Sequence, residues 1–252
     1  MTRIPCIAGN WKMYKTVDEA IETAAKLKEA LHNVSGRDIG IAPPFVSLVP
    51  VAEVIKGSNI SLIAQNVFWE DEGAYTGEIS PTMLKNAGCT CAIIGHSERR
   101  QYFGETNETV NKKINKCLDA GLMAIVCIGE SLEERESGNT FSVLEAQVSE
   151  GFSALSPDQM EKIVIAYEPV WAIGTGKTAT ASQAQEAHAF IRSKIEGHYG
   201  KAIADEIRIL YGGSVKPGNI DELMAEKDVD GALVGGASLD AGSFARIVQF
   251  SF

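Results

Sequence analysis

The sequence is short of several things, and each shortage closes off a class of protein. It has no run approaching the roughly 18 apolar residues that a membrane span requires. Its N-terminus, M-T-R-I-P-C-I-A-G-N, lacks the apolar core of a signal peptide. Positive charge is scarce: 23 Lys and Arg stand against 33 Asp and Glu, for a net charge of -10. Nucleic-acid binding draws on clustered basic residues, so nucleic acid is not an expected partner, and a small anion would need a locally built positive site. The five cysteines, Cys6, Cys89, Cys91, Cys117 and Cys127, are an odd number with no C-x-x-C among them. No disulfide framework or metal motif is therefore indicated, and buried free thiols are the expected state. Cys89 and Cys91 flank one residue of an apolar run, where both would point to the same side of a strand. Reduced cysteines fit a reducing compartment, and the reading is a cytoplasmic protein with no membrane attachment. No linker, low-complexity tract or charge block breaks the chain, so residues 1–252 read as a single domain, long enough to bury a substantial core.

What is present is a repeated pattern. Short apolar, β-rich runs recur at 4–8, 39–42, 60–64, 91–94, 123–128, 163–167, 207–211 and 232–234. Several are apolar throughout, as strands buried on both faces of a parallel sheet must be. Helical patterns lie between them. Thr16 and Glu19 form a possible capping box ahead of Val17, Ile21, Ala24, Leu27 and Leu31 at helical spacing. Ser131 with Glu134, Asn219 with Glu222, and Ser182 with Gln185 also read as helix starts. A strand–helix unit takes about 30 residues. Eight such units in this length predict a closed (β/α)8 barrel, with an open doubly wound sheet as the alternative.

Parallel α/β folds bind ligands beyond the carboxyl ends of their strands, so the residues after each run carry the functional reading. The first run is followed by Gly9-Asn10-Trp11-Lys12, the third by Gln65-Asn66, and the fourth by Gly95-His96-Ser97-Glu98-Arg99-Arg100. Next come Gly129-Glu130, Glu168-Pro169, Gly212-Gly213-Ser214 and Gly235-Gly236. Each has a plainer explanation alone: Lys12 as a solvated loop charge, His96 as a structural histidine, Glu168 as a cap, the glycines as tight turns. Their convergence on one barrel mouth is what gives them weight. Paired glycines let backbone N–H groups approach an anion, and Lys12 supplies the positive charge the protein otherwise lacks. A small phosphate ester is the implied ligand, with a carboxylate and a histidine beside it for proton transfer.

The stretch Y-E-P-V-W-A-I-G-T-G-K-T-A, 167–179, imitates a nucleotide loop but fails the test of position. A P-loop ending in Gly176-Lys177-Thr178 would need glycine where Trp171 stands. A dinucleotide fingerprint would open a helix directly after its strand, whereas about a dozen residues intervene here. A stiff Pro169, an apolar middle of Val170, Trp171, Ala172 and Ile173, and a glycine-rich end suit a lid that excludes water. A static loop packed by its own side chains is the alternative.

Several segments, read together, closely resemble the triosephosphate isomerase family. They are A-G-N-W-K-M (8–13), G-A-Y-T-G-E-I-S (73–80), I-I-G-H-S-E-R-R (93–100), Y-E-P-V-W-A-I-G-T-G-K (167–177), Y-G-G-S-V (211–215) and L-V-G-G-A-S-L (233–239). They occur in the family's order from the first strand to the last. The resemblance implies interconversion of dihydroxyacetone phosphate and glyceraldehyde 3-phosphate, with no cofactor and no metal. The resemblance also implies a glutamate base beside a neutral histidine under a closing loop. By position, Glu168 would be the base, His96 the electrophile kept neutral by a helix starting near Ser97, and Lys12 with Asn10 the substrate contacts. Glu98, Ser97 and Tyr211 would support them. Gly174, Ser214, Gly235 and Gly236 would offer N–H groups to the phosphate, and Ile173 with Leu233 an apolar cage that raises the basicity of Glu168. The lid would comprise Pro169, Val170, Trp171, Ala172, Ile173, Gly174, Thr175, Gly176 and Lys177. The family's habit is a homodimer in which the loop after the third strand, about 66–80, enters the partner's site. That places Thr76, Tyr75 and Met13 at an interface, with Phe68 and Trp69 also expected to be exposed. Two other readings stay open from residues alone. An aldolase or synthase acting on a phosphorylated sugar would share the glycines, although the apolar runs contain no Schiff-base lysine. A non-catalytic scaffold would be marked by loss of Lys12, His96 or Glu168, and all three are present.

Overall fold

Eight apolar runs, each about one strand long, close on themselves because each can hydrogen-bond on both edges and bury both faces. The computed structural model describes residues 3–173 and 178–251. In it, β1 (Cys6–Asn10), β2 (Asp38–Ala42), β3 (Ile60–Ala64) and β4 (Cys91–Ile94) are followed by β5 (Met123–Ile128), β6 (Ile163–Tyr167), β7 (Arg208–Tyr211) and β8 (Gly231–Val234). The strands are parallel and neighbour one another in chain order, and β8 pairs back onto β1 with Cys6 opposite Gly231. The fold is a (β/α)8 TIM barrel, and the open-sheet alternative is set aside by that closing pair.

Alternation along each strand splits the core in two. Cys6, Ala8, Ala42, Ile63, Cys91, Ile93, Ile125, Cys127, Val164, Ala166, Leu210 and Leu233 fill the barrel interior, small residues interleaving with large ones. Ile7, Ile41, Ile94, Val126, Ile165, Ile209 and Val234 belong to the larger cluster between the strands and the helices. Cutting a fully buried interior residue such as Ile93 to Ala would cost roughly 2–5 kcal/mol.

Local chemistry sets most element ends, with some departures from the sequence pattern. The capping boxes of Thr16 with Glu19 and Ser131 with Glu134 form as the sequence suggests. The first strand begins at Cys6, not residue 4, because Pro5 has no N–H to give to a ladder, and Ile4 stays exposed. Asn10 therefore ends the strand instead of following it. The helix Ala181–Tyr199 is capped by a reciprocal Thr180–Gln183 box and not by Ser182 with Gln185. Gln185 is engaged elsewhere, its amide bonding the side chain and backbone N–H of Asp228. Asn219 precedes its helix without capping it: its Oδ1 accepts from Lys216 N and its Nδ2 donates to Ser214 O.

All five cysteines are buried free thiols, as their pattern indicated. Cys89 and Cys91, however, do not share a side. β4 starts only at Cys91, which faces the barrel interior, while Cys89 lies before the strand and packs in the outer layer. Phe68 and Trp69 are also half-buried instead of exposed, because their rings stack at 4.2 Å and Phe68 meets Tyr75 at 4.8 Å. No helix among the described residues is long and apolar enough to cross a membrane.

Candidate active site

Inward alternation carries past the strand ends and aims the polar residues into the barrel mouth. Asn10 continues the inward series of Cys6 and Ala8, and Glu168 continues that of Val164 and Ala166. Both are buried, Glu168 to 2 % exposure. The Glu168 backbone is fixed by its N–H to Ile128 O at 2.8 Å. Gly212 must be glycine here, since a Cβ would lie 2.8 Å from Glu168 Cγ.

The carboxylate of Glu168 is doubly engaged. One oxygen lies 3.0 Å from His96 Nε2 and the other accepts from Ser97 N at 2.8 Å. His96 caps the helix Ser97–Phe103, and its Nδ1 accepts the Glu98 N–H at 3.2 Å. An accepting Nδ1 carries no proton, so this geometry fits the neutral tautomer, which donates from Nε2 to Glu168. Burial presses the His96 pKa down, but the Glu168 carboxylate outweighs it and lifts the value above that of an ordinary histidine. Glu168 itself is pushed upward by burial, yet His96, the Ser97 N–H and Lys12 together hold it below the usual glutamate value. The expectation that enclosure makes Glu168 more basic therefore fails for this arrangement, because hydrogen bonds to the charged form win over desolvation.

Lys12 completes the cluster. Its Nζ pairs with Glu98 Oε1 at 2.6 Å, and Glu98 Oε2 lies 3.6 Å from His96 Nδ1. Its backbone adopts φ 51°, a strained value for lysine. Two side chains hold it there: Asn10 Oδ1 accepts the Lys12 N–H at 2.9 Å, and Gln65 Nε2 donates to Lys12 O at 2.8 Å. A Cβ on Gly235 would sit 3.4 Å from Lys12 Cε, so the turn after β8 adjoins the lysine directly.

A cavity of about 750 Å³ opens on the other flank, bordered by Ser97, Glu98, Gly129, Glu168, Trp171 and Ile173. The leading part of the loop after β6 forms one short 3-10 turn, Val170–Ala172, with Trp171 and Ala172 buried and Val170 and Ile173 half-buried. Among the described residues no group of three or more His, Cys, Asp or Glu is arranged to hold a metal.

Comparison with known proteins follows the same lines. The family model described as Triosephosphate isomerase matches residues 5–251. The chain belongs to the triosephosphate isomerase family. A triosephosphate isomerase of Geotalea uraniireducens is 59% identical over 249 residues, covering 99% of each chain. One of Syntrophotalea carbinolica is 57% identical over 98% of each. Another, of Clostridium botulinum, is 56% identical over 98% of this chain and all of its own.

Against the family pattern, Asn10, Lys12, His96, Ser97, Glu98 and Glu168 lie together as one bonded cluster with Gly235 beside it. Ser214 is half-buried on a turn steadied by Asn219. Leu233 is in the barrel interior and Ile173 borders the cavity. Tyr211 is buried behind the loop. Gly174, Thr175, Gly176 and Lys177, hence the trailing hinge and one phosphate N–H, lie outside the described residues. Sequence reasoning missed the role of Glu130, whose Oε1 receives Trp171 Nε1 at 2.9 Å, Tyr167 OH at 3.1 Å and Arg135 at 3.0 Å. Its position just after β5 was the available signal. Gln65 was visible in the same way, as a polar residue just past β3.

Proposed function

We propose that the protein is an aldose–ketose isomerase that interconverts dihydroxyacetone phosphate and D-glyceraldehyde 3-phosphate through an enediolate, serving glycolysis and gluconeogenesis in the cytoplasm. The observation that carries this is the placement of one carboxylate, Glu168, against a neutral imidazole donor, with an ammonium group beside them. Glu168 takes the proton from one carbon and returns it to the next. Its present partners hold it ionised but quiet. To reach a substrate carbon it must leave the His96 and Ser97 donors, and both its basicity and the neutrality of His96 then increase. His96 Nε2–H is freed to polarise the substrate oxygens, and Lys12 meets the negative charge as it develops. Asn10 orients the lysine. The turns at Ser214, Gly235 and Gly236, with Gly174, supply N–H groups to the phosphate. The loop 169–177 acts as a lid that keeps water from an enediolate prone to lose phosphate. Ile173 and Leu233 contribute its apolar lining, and Glu98 and Tyr211 act from behind.

The whole chain acts as one domain, needs no cofactor, and works as a homodimer. Support for the dimer comes from apolar side chains left in water on the segments that follow β1 to β4: Met13 is 94% exposed, and Tyr14, Val46 and Tyr75, with Tyr102 and Phe103 at the end of the helix Ser97–Phe103, accompany it. Thr76 is exposed beside them. An aldolase lysine is missing from all eight strands.

The test is a coupled isomerase assay on the purified protein and on Glu168→Ala. The parent should turn over, and the variant should lose at least the roughly 10²–10⁴-fold of general-base catalysis. A folded parent without turnover would overturn the function; a fully active variant would overturn the assignment of the base.

A further inference from the structure

The amide of Gln147 grips a single residue beside the base. It projects from the helix Thr140–Gly151, on the outer side of the barrel. Its Oε1 accepts the Gly129 N–H at 2.7 Å, and its Nε2 donates to Gly129 O at 3.0 Å. Both ends of one side chain are thus spent on one backbone unit, which imitates a strand partner where β5 has run out.

Gly129 occupies a decisive place. The residue before it, Ile128, accepts the Glu168 N–H at 2.8 Å, and the residue after it, Glu130, accepts the Val170 N–H at 3.1 Å. Residues 128–130 therefore form the template on which residues 168–170 lie, and those carry the base and the leading hinge of the lid. Glu130 also binds Trp171 and Tyr167 through its side chain. Gly129 has no side chain with which to anchor itself and can have none, since a Cβ would fall 1.8 Å from Glu168 O. The Gln147 amide is the group that fixes this residue's N–H and C=O from outside.

We propose that Gln147 is a positioning residue for the reaction: by clamping Gly129 it sets both the depth of Glu168 in the barrel mouth and the seat of the lid hinge, without touching substrate. The proposal rests on Glu168 being the base. Losing the clamp leaves the N–H and C=O of half-buried Gly129 to find new partners, and the template shifts. A displacement near 1 Å at reacting groups costs on the order of 100-fold in rate.

The test compares Gln147→Leu and Gln147→Glu with the parent, measuring kcat, KM and thermal unfolding from pH 5 to 9. Gln147→Leu removes both bonds; kcat should fall by roughly tenfold to a hundredfold, with KM moving far less. Gln147→Glu is isosteric and discriminates further. Ionised, its carboxylate still accepts from Gly129 N but faces Gly129 O without a donor. Protonated, it has one acceptor and one donor and restores both bonds. The kcat ratio of this variant to the parent should therefore rise as the pH falls through the pKa of the introduced carboxyl. A merely structural role would alter unfolding without giving this ratio a pH dependence. Parent-like kcat in folded Gln147→Leu, or a pH-flat ratio for Gln147→Glu, overturns the proposal. If Gln147→Leu does not fold, the ratio for Gln147→Glu decides. Absence of turnover in the parent would instead be a failure of the isomerase reading.

Discussion

Trp171 donates its indole N–H to Glu130 Oε1 at 2.9 Å, so the leading end of the loop after β6, the proposed lid, is pinned to a carboxylate with no exposed surface. The same oxygen also serves Tyr167 and Arg135, and the Arg135 guanidinium lies 4.7 Å over the Trp171 ring. Removing the indole donor leaves Glu130 its other two partners. Trp171→Phe should therefore cost about 1.5–3 kcal/mol, the worth of one hydrogen bond to a charged group. Its effect should fall on the lid. Inorganic phosphate released per turnover of dihydroxyacetone phosphate should rise above the parent's; an unchanged ratio would show that this bond does not govern closure.

The depressed pKa of Glu168 fixes the sign of an acid effect. With the ionised carboxylate as the proposed base, its own protonation should depress kcat/KM, which reports the free enzyme, only below the ordinary glutamate value, while the raised pKa of His96 sets a separate loss of its neutral form at higher pH. Among the partners that hold it down, the His96 ring is foremost. His96→Gln should thus move the acid limb of kcat/KM to higher pH, beyond lowering the rate. The same shift bears on stability. A folded pKa below the unfolded one contributes stability that is present above the unfolded value and lost as the pH falls through the folded one.

His188 supplies a second, independent pH effect. It is fully buried, with Nδ1 3.1 Å from Asp228 O, and its ring lies edge-on to Tyr167 at 5.7 Å. Burial pushes its pKa down to about 4. The unfolded chain takes up a proton near pH 6.5 and the folded one refuses it until about 4, so stability drains away between those values and then levels off. The loss is on the order of 3 kcal/mol. Urea midpoints at pH 7.5 and 5 should differ, and His188→Gln should shrink the difference.

The thiols should be inert while the protein is folded. Burial raises Cys6 to about 11 and Cys89 and Cys117 to about 12, and pushes Cys91 and Cys127 up as well. Thiolate, the reactive form, is thus withheld at neutral pH. A colorimetric disulfide reagent should react with native protein only at the rate of unfolding. Rapid modification of one cysteine in the folded enzyme would contradict this.

These sites differ in how far the sequence exposes them. Strand runs and their following residues locate Lys12, His96 and Glu168, because a parallel barrel aims strand ends at one point. The direction of the Glu168 shift is not legible. It depends on two donors, His96 Nε2 and Ser97 N, whose distances only the fold sets. The start of β1 was misplaced because apolar character continues through Ile4, while Pro5 limits the ladder by a missing N–H. Gln147 was invisible for another reason: a glutamine on an outer helix, 18 positions from the glycine it holds, carries no local signature of that contact.

The contact between Lys12 and Gly235 has a consequence for synthesis. These two residues meet across the seam where β1 pairs with β8, so the first and the last strands of the barrel share one side of the site. A nascent chain holding the base, the histidine and the lysine still lacks the wall that faces the lysine until its last strand has left the ribosome. Catalytic competence should therefore appear abruptly, once β8 is available to the fold, and not accumulate with chain length.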